Sequence, residues 1–212
     1  MTPSPTPSGT ITIDAPPRDA QVAVPFEVSG EANVFEGALA VQAIDAAGTV
    51  VCEHRVQATS GTGTPGAWSA TLAFAPPPSE QDVTLRAFSR SAKDGSEENV
   101  VTRTVRVSPD LPAIVVESPR CGATSIAQSV IAASGTASVF EGSLQVELRD
   151  ATGTVLATRT VQTVGAPDRG NWAINFDVGA LPAGSYEFVA YSISAMDGAV
   201  ENVFAVPFLK AQ

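Results

Sequence analysis

The strongest constraint on the fold is an internal repeat that runs through almost the whole chain. The segment SGEANVFEGALAVQAIDAAGTVV, which begins at Ser29, matches SGTASVFEGSLQVELRDATGTVL, which begins at Ser134. Further along, FSRSAKDGSEENV from Phe88 matches YSISAMDGAVENV from Tyr191. The period of about 100 residues is too long for a solenoid unit and is the size of a whole domain. The sequence therefore predicts two copies of one domain.

Each copy alternates apolar and polar residues with the period of two that is typical of β-strands. The alternation is clearest at Phe26, Val28, Gly30 and Ala32, at Trp68, Ala70, Leu72 and Phe74, and at Trp172, Ile174, Phe176 and Val178. One apolar face per strand indicates antiparallel sheets that are packed on one side. About seven short strands per copy, separated by Asp-Gly and similar turns, predict an all-β fold of two tandem immunoglobulin-like antiparallel β-sandwiches, with both tryptophans in the cores.

The predicted domain limits follow from the composition. Residues 1–8 are rich in Pro, Thr and Ser, and they are predicted to be a linker because such a segment cannot pack a core. The first domain is predicted at 9–109 and the second at 110–212, joined through the proline-containing stretch SPDLP. Stalks of this composition often follow an export signal or a lipid anchor, so we expect one of these to precede the printed chain.

The charge and the missing motifs exclude several classes of function. The net charge of −10 repels phosphate backbones, so we expect no nucleic-acid partner. No run approaches the ~20 apolar residues that a membrane span needs. The sequence contains no phosphate-binding glycine loop, paired zinc-ligand spacing or G-x-S-x-G. We therefore expect no catalytic residues, no metal and no cofactor.

The motifs SGxAxVFEGxLxVxxxDxxGxV and SAxDGxxEN, with a tryptophan between them, occur in this order in both copies. Together they resemble the immunoglobulin-like domain of bacterial spore germination. This resemblance implies a β-sandwich in an extracytoplasmic bacterial protein, often a lipoprotein or a protein associated with the cell wall. The expected function is a non-catalytic cell-envelope module that acts as a structural spacer or protein-interaction domain. Its expected partner is an envelope protein or a cell-wall component.

The repeated polar segments lie in two loops that meet in an immunoglobulin-like fold. The VFEG segment joins the second and third strands, and SAxDGxxEN joins the last two, so both loops are expected at the same end of the domain. The residues predicted to converge there, as a ligand-binding hypothesis, are Phe35, Glu36, Asp94, Glu98 and Asn99 in the first copy and Phe140, Glu141, Asp197, Glu201 and Asn202 in the second.

Two interpretations of these residues remain open at this point. In the structural one, the glutamates accept hydrogen bonds from the facing loop, the Asp-Gly turns close a hairpin, and the phenylalanines cap the core. In the other, the phenylalanine stacks on a sugar or an apolar peptide side chain, and Glu and Asn orient that ligand. Calcium is a variant of the second interpretation, because each copy offers three acidic side chains, although no dense D-x-D-x-D run is present.

The two cysteines and the only histidine are not repeated. Cys52 and Cys121 occupy non-equivalent places in the two copies, and either a bridge between them or two free thiols is compatible with the sequence. His54 lies two residues from Cys52, a spacing that places both on one face of a strand. No carboxylate partner or oxyanion motif accompanies them, so we do not expect a catalytic pair.

Overall fold

The computed structural model describes residues 9–125, 129–165 and 168–211. Apart from two short 3-10 turns, the regular secondary structure of these residues is β-strand. They form two compact units with the main boundary between Val107 and Ser108, which we call the first and the second domain. The predicted all-β fold is therefore confirmed. The limits 9–109 and 110–212 remain predictions, and the linker proposed for residues 1–8 lies outside the described residues.

The described part of the first domain, from residue 9 onward, contains eight strands in two sheets. In chain order they are β1 (Thr10–Ile11), β2 (Gln21–Val22), β3 (Phe26–Asn33), β4 (Ala38–Ile44), β5 (Val50–Gln57), β6 (Gly66–Leu72), β7 (Gln81–Arg90) and β8 (Glu97–Val107). The three-stranded sheet has the order β1-β3-β6, and the five-stranded sheet has the order β2-β8-β7-β4-β5. The short β2 runs parallel to β8, whereas the other ladders of the larger sheet are antiparallel.

The second domain repeats this arrangement strand by strand. Its strands are β9 (Ile114–Ser118), β10 (Ala123–Ser125), β11 (Val130–Ala137), β12 (Ser143–Asp150), β13 (Val155–Gln162), β14 (Gly170–Asp177), β15 (Gly184–Ile193) and β16 (Val200–Lys210). The orders are β14-β11-β9 and β10-β16-β15-β12-β13, with β10 parallel to β16. Each domain has one strand more than the predicted seven, because the first strand is divided between the two sheets. Prolines lie between the two halves, and a proline cannot donate to a ladder.

The cores contain the residues that the alternation predicts. Trp68 and Trp172 are each only 3% exposed, which confirms their core assignment. In the second domain the ring of Phe188 is stacked against Phe208, with 4.9 Å between centroids, and is tilted against Phe176 at 5.0 Å. Such aromatic contacts add to the hydrophobic gain from burial.

The repeated Ser-Gly pair in β3 and β11 allows a close approach of the first strand. A Cβ atom at Gly30 would lie 2.1 Å from the carbonyl oxygen of Thr12, and one at Gly135 would lie 1.9 Å from that of Val115. Both glycines are therefore required by contact with a neighbouring backbone. The glycine that the two copies share at this position thus has a packing role.

Candidate functional site

The two VFEG segments form the same tight turn in both domains. Phe35–Gly37 and Phe140–Gly142 are single 3-10 turns that connect β3 to β4 and β11 to β12. Each turn is closed by its glycine N–H, which donates to the valine carbonyl three residues earlier at 3.0 and 2.9 Å. The central residues, Glu36 and Glu141, both have φ of 54°. This left-handed conformation costs a non-glycine residue about 1–2 kcal/mol, so the surroundings must hold it in place.

The loop that follows β5 holds the first of these turns. Thr62 accepts a hydrogen bond from the Glu36 N–H at 3.0 Å through its hydroxyl and donates its own N–H to Val34 at 2.9 Å. The side-chain amide of Gln57 donates to the Glu36 carbonyl. In the second domain the Thr163 N–H donates to Gly142 at 2.8 Å. The turn is therefore stabilised through its backbone by this loop.

This result differs from the structural interpretation of the glutamates. That interpretation has the carboxylates of Glu36 and Glu141 accept hydrogen bonds from the facing Asp-Gly loop. Both side chains are exposed, and neither carboxylate accepts a hydrogen bond within the part of the chain that the structure describes. The backbone of Glu36, and not its side chain, makes the structural contacts.

The two aspartates of the repeated motif close the hairpins between the last two strands. Asp94 accepts hydrogen bonds from the Ser96 hydroxyl at 2.6 Å and the Ser96 N–H at 3.0 Å. Asp197 accepts from the Ala199 N–H at 3.0 Å. The Ser96 hydroxyl lowers the pKa of Asp94, and the Ala199 N–H lowers the pKa of Asp197. This part of the structural interpretation is supported, because both carboxylates serve their own turns.

These hydrogen bonds predict a pH dependence of the hairpins. Because the pKa of Asp94 and Asp197 is lowered by folding, the ionised carboxylates stabilise the turns above the ordinary aspartate pKa of about 3.9. That stabilisation is lost as the pH falls through the lowered folded pKa. In carbon-detected NMR titrations we expect both carboxyl midpoints below those of the same residues in unfolded peptides. Midpoints at or above the peptide values would contradict the turn role.

The repeated Glu-Asn pair forms a β-bulge. The register between β7 and β8 shifts at this point, and Asn99 adopts φ of 55°; the second domain has the same shift, with φ of 57° at Asn202. Asn99 donates from its side chain to the Ser89 hydroxyl at 2.8 Å, and Asn202 does the same to Ser192 at 2.8 Å. Asparagine suits this position because it tolerates the left-handed region and bonds locally. Its role is structural in both domains.

The serine that binds each asparagine also joins the bulge to the neighbouring glutamate. The serine that receives each asparagine amide also donates to the carbonyl of the repeated glutamate, from Ser89 to Glu98 at 3.3 Å and from Ser192 to Glu201 at 3.4 Å. The side chains of both glutamates are exposed. The repeated serine ten residues before each asparagine is the sequence signal for this contact.

The phenylalanines of the two VFEG turns lie outside the cores of their domains. Phe35 is 59% exposed and Phe140 is 69% exposed. The alternative that they cap the core is therefore wrong, and the preceding Val34, which is 3% exposed, takes the core position instead. A repeated, exposed aromatic ring on a turn that is otherwise held by backbone contacts is a candidate binding residue.

The turn and the hairpin lie at the same end of the five-stranded sheet, as predicted. β4 and β12 begin directly after the VFEG turns, and the hairpins connect the end of β7 to β8 and the end of β15 to β16. We call this region the loop end of each domain. The ten predicted residues therefore share an end of their domains, whereas their role in binding a ligand remains a prediction.

The structure also bears on metal binding, on the two cysteines and on membrane-spanning helices. Among the described residues no group of three or more His, Cys, Asp or Glu side chains could hold a metal ion, so nothing there favours calcium. Both cysteines are disulfide-bonded, which contradicts the alternative of two free thiols and leaves Cys52 no thiolate for a pair with His54. Within the described part of the chain, no helix has the length and apolar character to cross a membrane.

Several solved structures show a distant similarity to the chain. Similar chains include dimeric latent PorU from Porphyromonas gingivalis, with 14% identity over 97% of this chain and a TM-score of 0.34. Another is Rst D1-D2, with 9% identity over 95% of this chain and all of that chain, and a TM-score of 0.32. The chain spans only 20% of the length of PorU.

Sequence comparison identifies the family. Among curated proteins, none matches the chain in sequence. The family described as the immunoglobulin-like domain of bacterial spore germination matches twice, over residues 10–96 and 113–199. These two ranges cover most of both domains and include both VFEG turns. The chain therefore belongs to the family of immunoglobulin-like domains of bacterial spore germination, of which it contains two tandem copies.

Proposed function

We propose that this chain is a non-catalytic module of the bacterial cell envelope that binds an envelope protein through the exposed phenylalanines at its loop ends. The observation that carries the proposal is the exposure of Phe35 and Phe140 on equivalent turns. The Asp-Gly hairpins and the asparagine bulges, which are also repeated, stabilise the fold. An aromatic ring exposed at the same place in both copies has no such structural use, and aromatic side chains are enriched at protein interfaces.

The proposed location outside the cytoplasmic membrane has independent support. Both cysteines are disulfide-bonded, and such bonds persist in oxidising compartments. The strongly negative charge is compatible with binding to proteins but opposes binding to anionic lipid surfaces. Cleavage of the full-length protein by an added protease, in cells whose cytoplasmic membrane is intact, would test the location directly.

The binding proposal is tested by co-sedimentation with envelope fractions from the organism that encodes the chain. The wild type is compared with the Phe35→Ala/Phe140→Ala double variant on envelopes that retain their proteins and on purified cell-wall sacculi. We expect the wild type to pellet with the protein-containing envelopes and the variant to stay in the supernatant. Because both rings are exposed, the variant should keep its thermal midpoint, which serves as the folding control.

The same experiment separates the alternatives. Pelleting of the wild type with protein-free sacculi, lost in the double variant, would indicate a cell-wall glycan that stacks on the rings instead of a protein partner. An effect of EDTA on pelleting would indicate calcium. Equal pelleting of wild type and variant, or none in either fraction, would contradict binding through the phenylalanines and favour a purely structural spacer.

A further inference from the structure

The hairpins at the two loop ends have the same backbone but opposite chemistry. The shared framework includes the Asp-Gly turn and the Glu-Asn bulge. Four positions of the first hairpin are charged and their equivalents in the second are all apolar. The charged residues are Arg86, Arg90, Lys93 and Glu97, and the apolar ones are Val189, Ile193, Met196 and Val200. Such a concerted change within a duplicated domain calls for a physical explanation.

In the first domain three of the four charged residues, Arg86, Arg90 and Glu97, pair with one another. Glu97 forms an ion pair with Arg86 and a second one with Arg90 at 3.9 Å. The two guanidinium groups lie over the ring of Phe88, at 4.6 and 5.0 Å from its centroid. The hydrogen bond from Arg86 lowers the pKa of Glu97. The hairpin of the first domain therefore presents charged groups to water, and its glutamate is paired with both arginines.

In the second domain three of the four equivalent residues leave apolar surface in water, whereas Val189 is buried. Ile193 and Val200 are paired across the hairpin, and Met196 lies at its tip. They are 45%, 57% and 91% exposed, and Phe140 is exposed at the same loop end. We call these four residues the apolar tip. The first domain has charged residues in place of Ile193, Met196 and Val200, so the fold does not need apolar side chains at these three positions. Burial of such surface would gain roughly 25 cal/mol per Å².

The charged residues within the VFEG turn and the hairpin of the second domain are all acidic. Glu141 is next to Phe140, and Asp197 and Glu201 flank the hairpin residues. The VFEG turn at 139–142 and the hairpin at 193–203 contain no lysine or arginine. The Ala199 N–H lowers the pKa of Asp197, so this carboxylate is charged at neutral pH. An apolar centre with a negative rim is complementary to apolar side chains flanked by positive charge.

We propose that the apolar tip of the second domain docks a protein segment in which apolar side chains lie between lysines or arginines. This inference rests on the proposed function and specifies which domain makes the main contact and the chemistry of its partner. A second copy of the chain would bring like charges together, and an anionic lipid surface would be repelled. The three hairpin residues of the tip, Ile193, Met196 and Val200, also lack the flat faces and hydrogen-bonding groups with which proteins bind sugars.

The internal repeat provides a matched pair of variants. The swap variant Ile193→Arg/Met196→Lys/Val200→Glu places the first domain's residues on the second domain's hairpin, in a backbone context that already accepts them. The reciprocal variant Arg90→Ile/Lys93→Met/Glu97→Val creates an apolar tip on the first domain. The probe is a synthetic peptide that alternates valine and phenylalanine with lysines, and its control carries glutamate in place of every lysine.

We expect the lysine peptide to bind the wild type and to shift the methyl NMR signals of Ile193, Met196 and Val200. The swap variant should bind at least ten-fold more weakly, the glutamate peptide should not bind, and added salt should weaken the interaction. The reciprocal variant should gain a second binding site. Equal binding by wild type and swap variant, no binding of the lysine peptide, or equal binding of both peptides would overturn the proposal.

Two further measurements distinguish other occupants and separate this inference from the proposed function. Sedimentation velocity that shows a wild-type dimer, absent in the swap variant, would overturn the proposal in favour of self-association. Flotation with zwitterionic vesicles that depends on the tip would overturn it in favour of lipid. If the Phe35→Ala/Phe140→Ala variant loses envelope binding while the swap variant keeps it, the proposed function stands and this inference fails.

Discussion

Replacement of Phe188 by alanine is expected to lower the free energy of unfolding of the second domain by about 3–5 kcal/mol. The ring is fully buried and contacts both Phe176 and Phe208, so its removal leaves a cavity and two unmatched aromatic faces. Denaturant unfolding can follow this domain alone through the fluorescence of Trp172, in a background in which Trp68 is replaced by phenylalanine.

The matched control is Phe140→Ala, which removes the same side chain from an exposed turn of the same domain. Because the Phe140 ring is 69% exposed, we expect a loss of less than about 1 kcal/mol. The contrast between the two alanine variants distinguishes a core residue from a candidate contact residue. A loss at Phe140 comparable to that at Phe188 would mean that the ring stabilises the fold, and it would remove the basis of the proposed function.

Substitution of alanine for Gly30 or Gly135 is expected to destabilise the corresponding domain by at least about 2 kcal/mol. The new methyl group would lie about 2 Å from a backbone carbonyl oxygen, at 2.1 Å from that of Thr12 for Gly30 and at 1.9 Å from that of Val115 for Gly135. A backbone oxygen cannot rotate away as a side chain can, so the first strand would have to move. Thermal unfolding of each variant, with the tryptophan of the same domain as the reporter, measures the loss.

Gly184→Ala is the control for the general effect of alanine in a strand. A Cβ atom at Gly184 would be 3.8 Å from the Tyr186 ring, and the backbone there is not left-handed. We expect this variant to be neutral or slightly stabilising, because alanine restricts the unfolded chain more than glycine does. If Gly135→Ala behaves like Gly184→Ala, the close approach of the first strand is not a requirement of the fold.

The alternating pattern, which occurs in both copies of the repeat, predicts much of the fold because it indicates which face of each strand is buried. Trp68, Trp172 and the apolar face of β3 occupy the core as the period of two indicates. The division of the first strand is not predictable in this way. β1 and β2 contain two residues each, too few for any alternation, and their places are set by partners far along the chain.

The VFEG turn shows a second limit of local sequence patterns. Val34 and Phe35 are adjacent and both apolar, so composition alone does not indicate which side chain is buried. The left-handed conformation of Glu36 and the contacts of Thr62 set the direction of the chain, which turns Val34 inward and Phe35 outward. That contact joins residues far apart in the sequence, and only the tertiary structure reveals it.

The predicted ligand residues therefore separate into groups with different roles. Asp94 and Asn99 are engaged by their own hairpin and bulge, although a repeated aspartate and asparagine could equally indicate a binding site. The phenylalanines remain as the candidates for binding. The repeat does not predict the apolar tip of the second domain, because a repeat shows what the two copies share, whereas this surface is defined by residues in which they differ.

The short parallel ladders also determine how each domain would respond to tension. β2 lies near the start of the first domain and β8 ends it, and the two run side by side in the same direction; β10 and β16 repeat this arrangement. A pull on the two ends of such a domain acts along the paired strands, so the hydrogen bonds between them are loaded together in shear. In an antiparallel pair pulled from one end, the bonds would open one after another. Each copy therefore has a strand geometry that resists extension from its two ends.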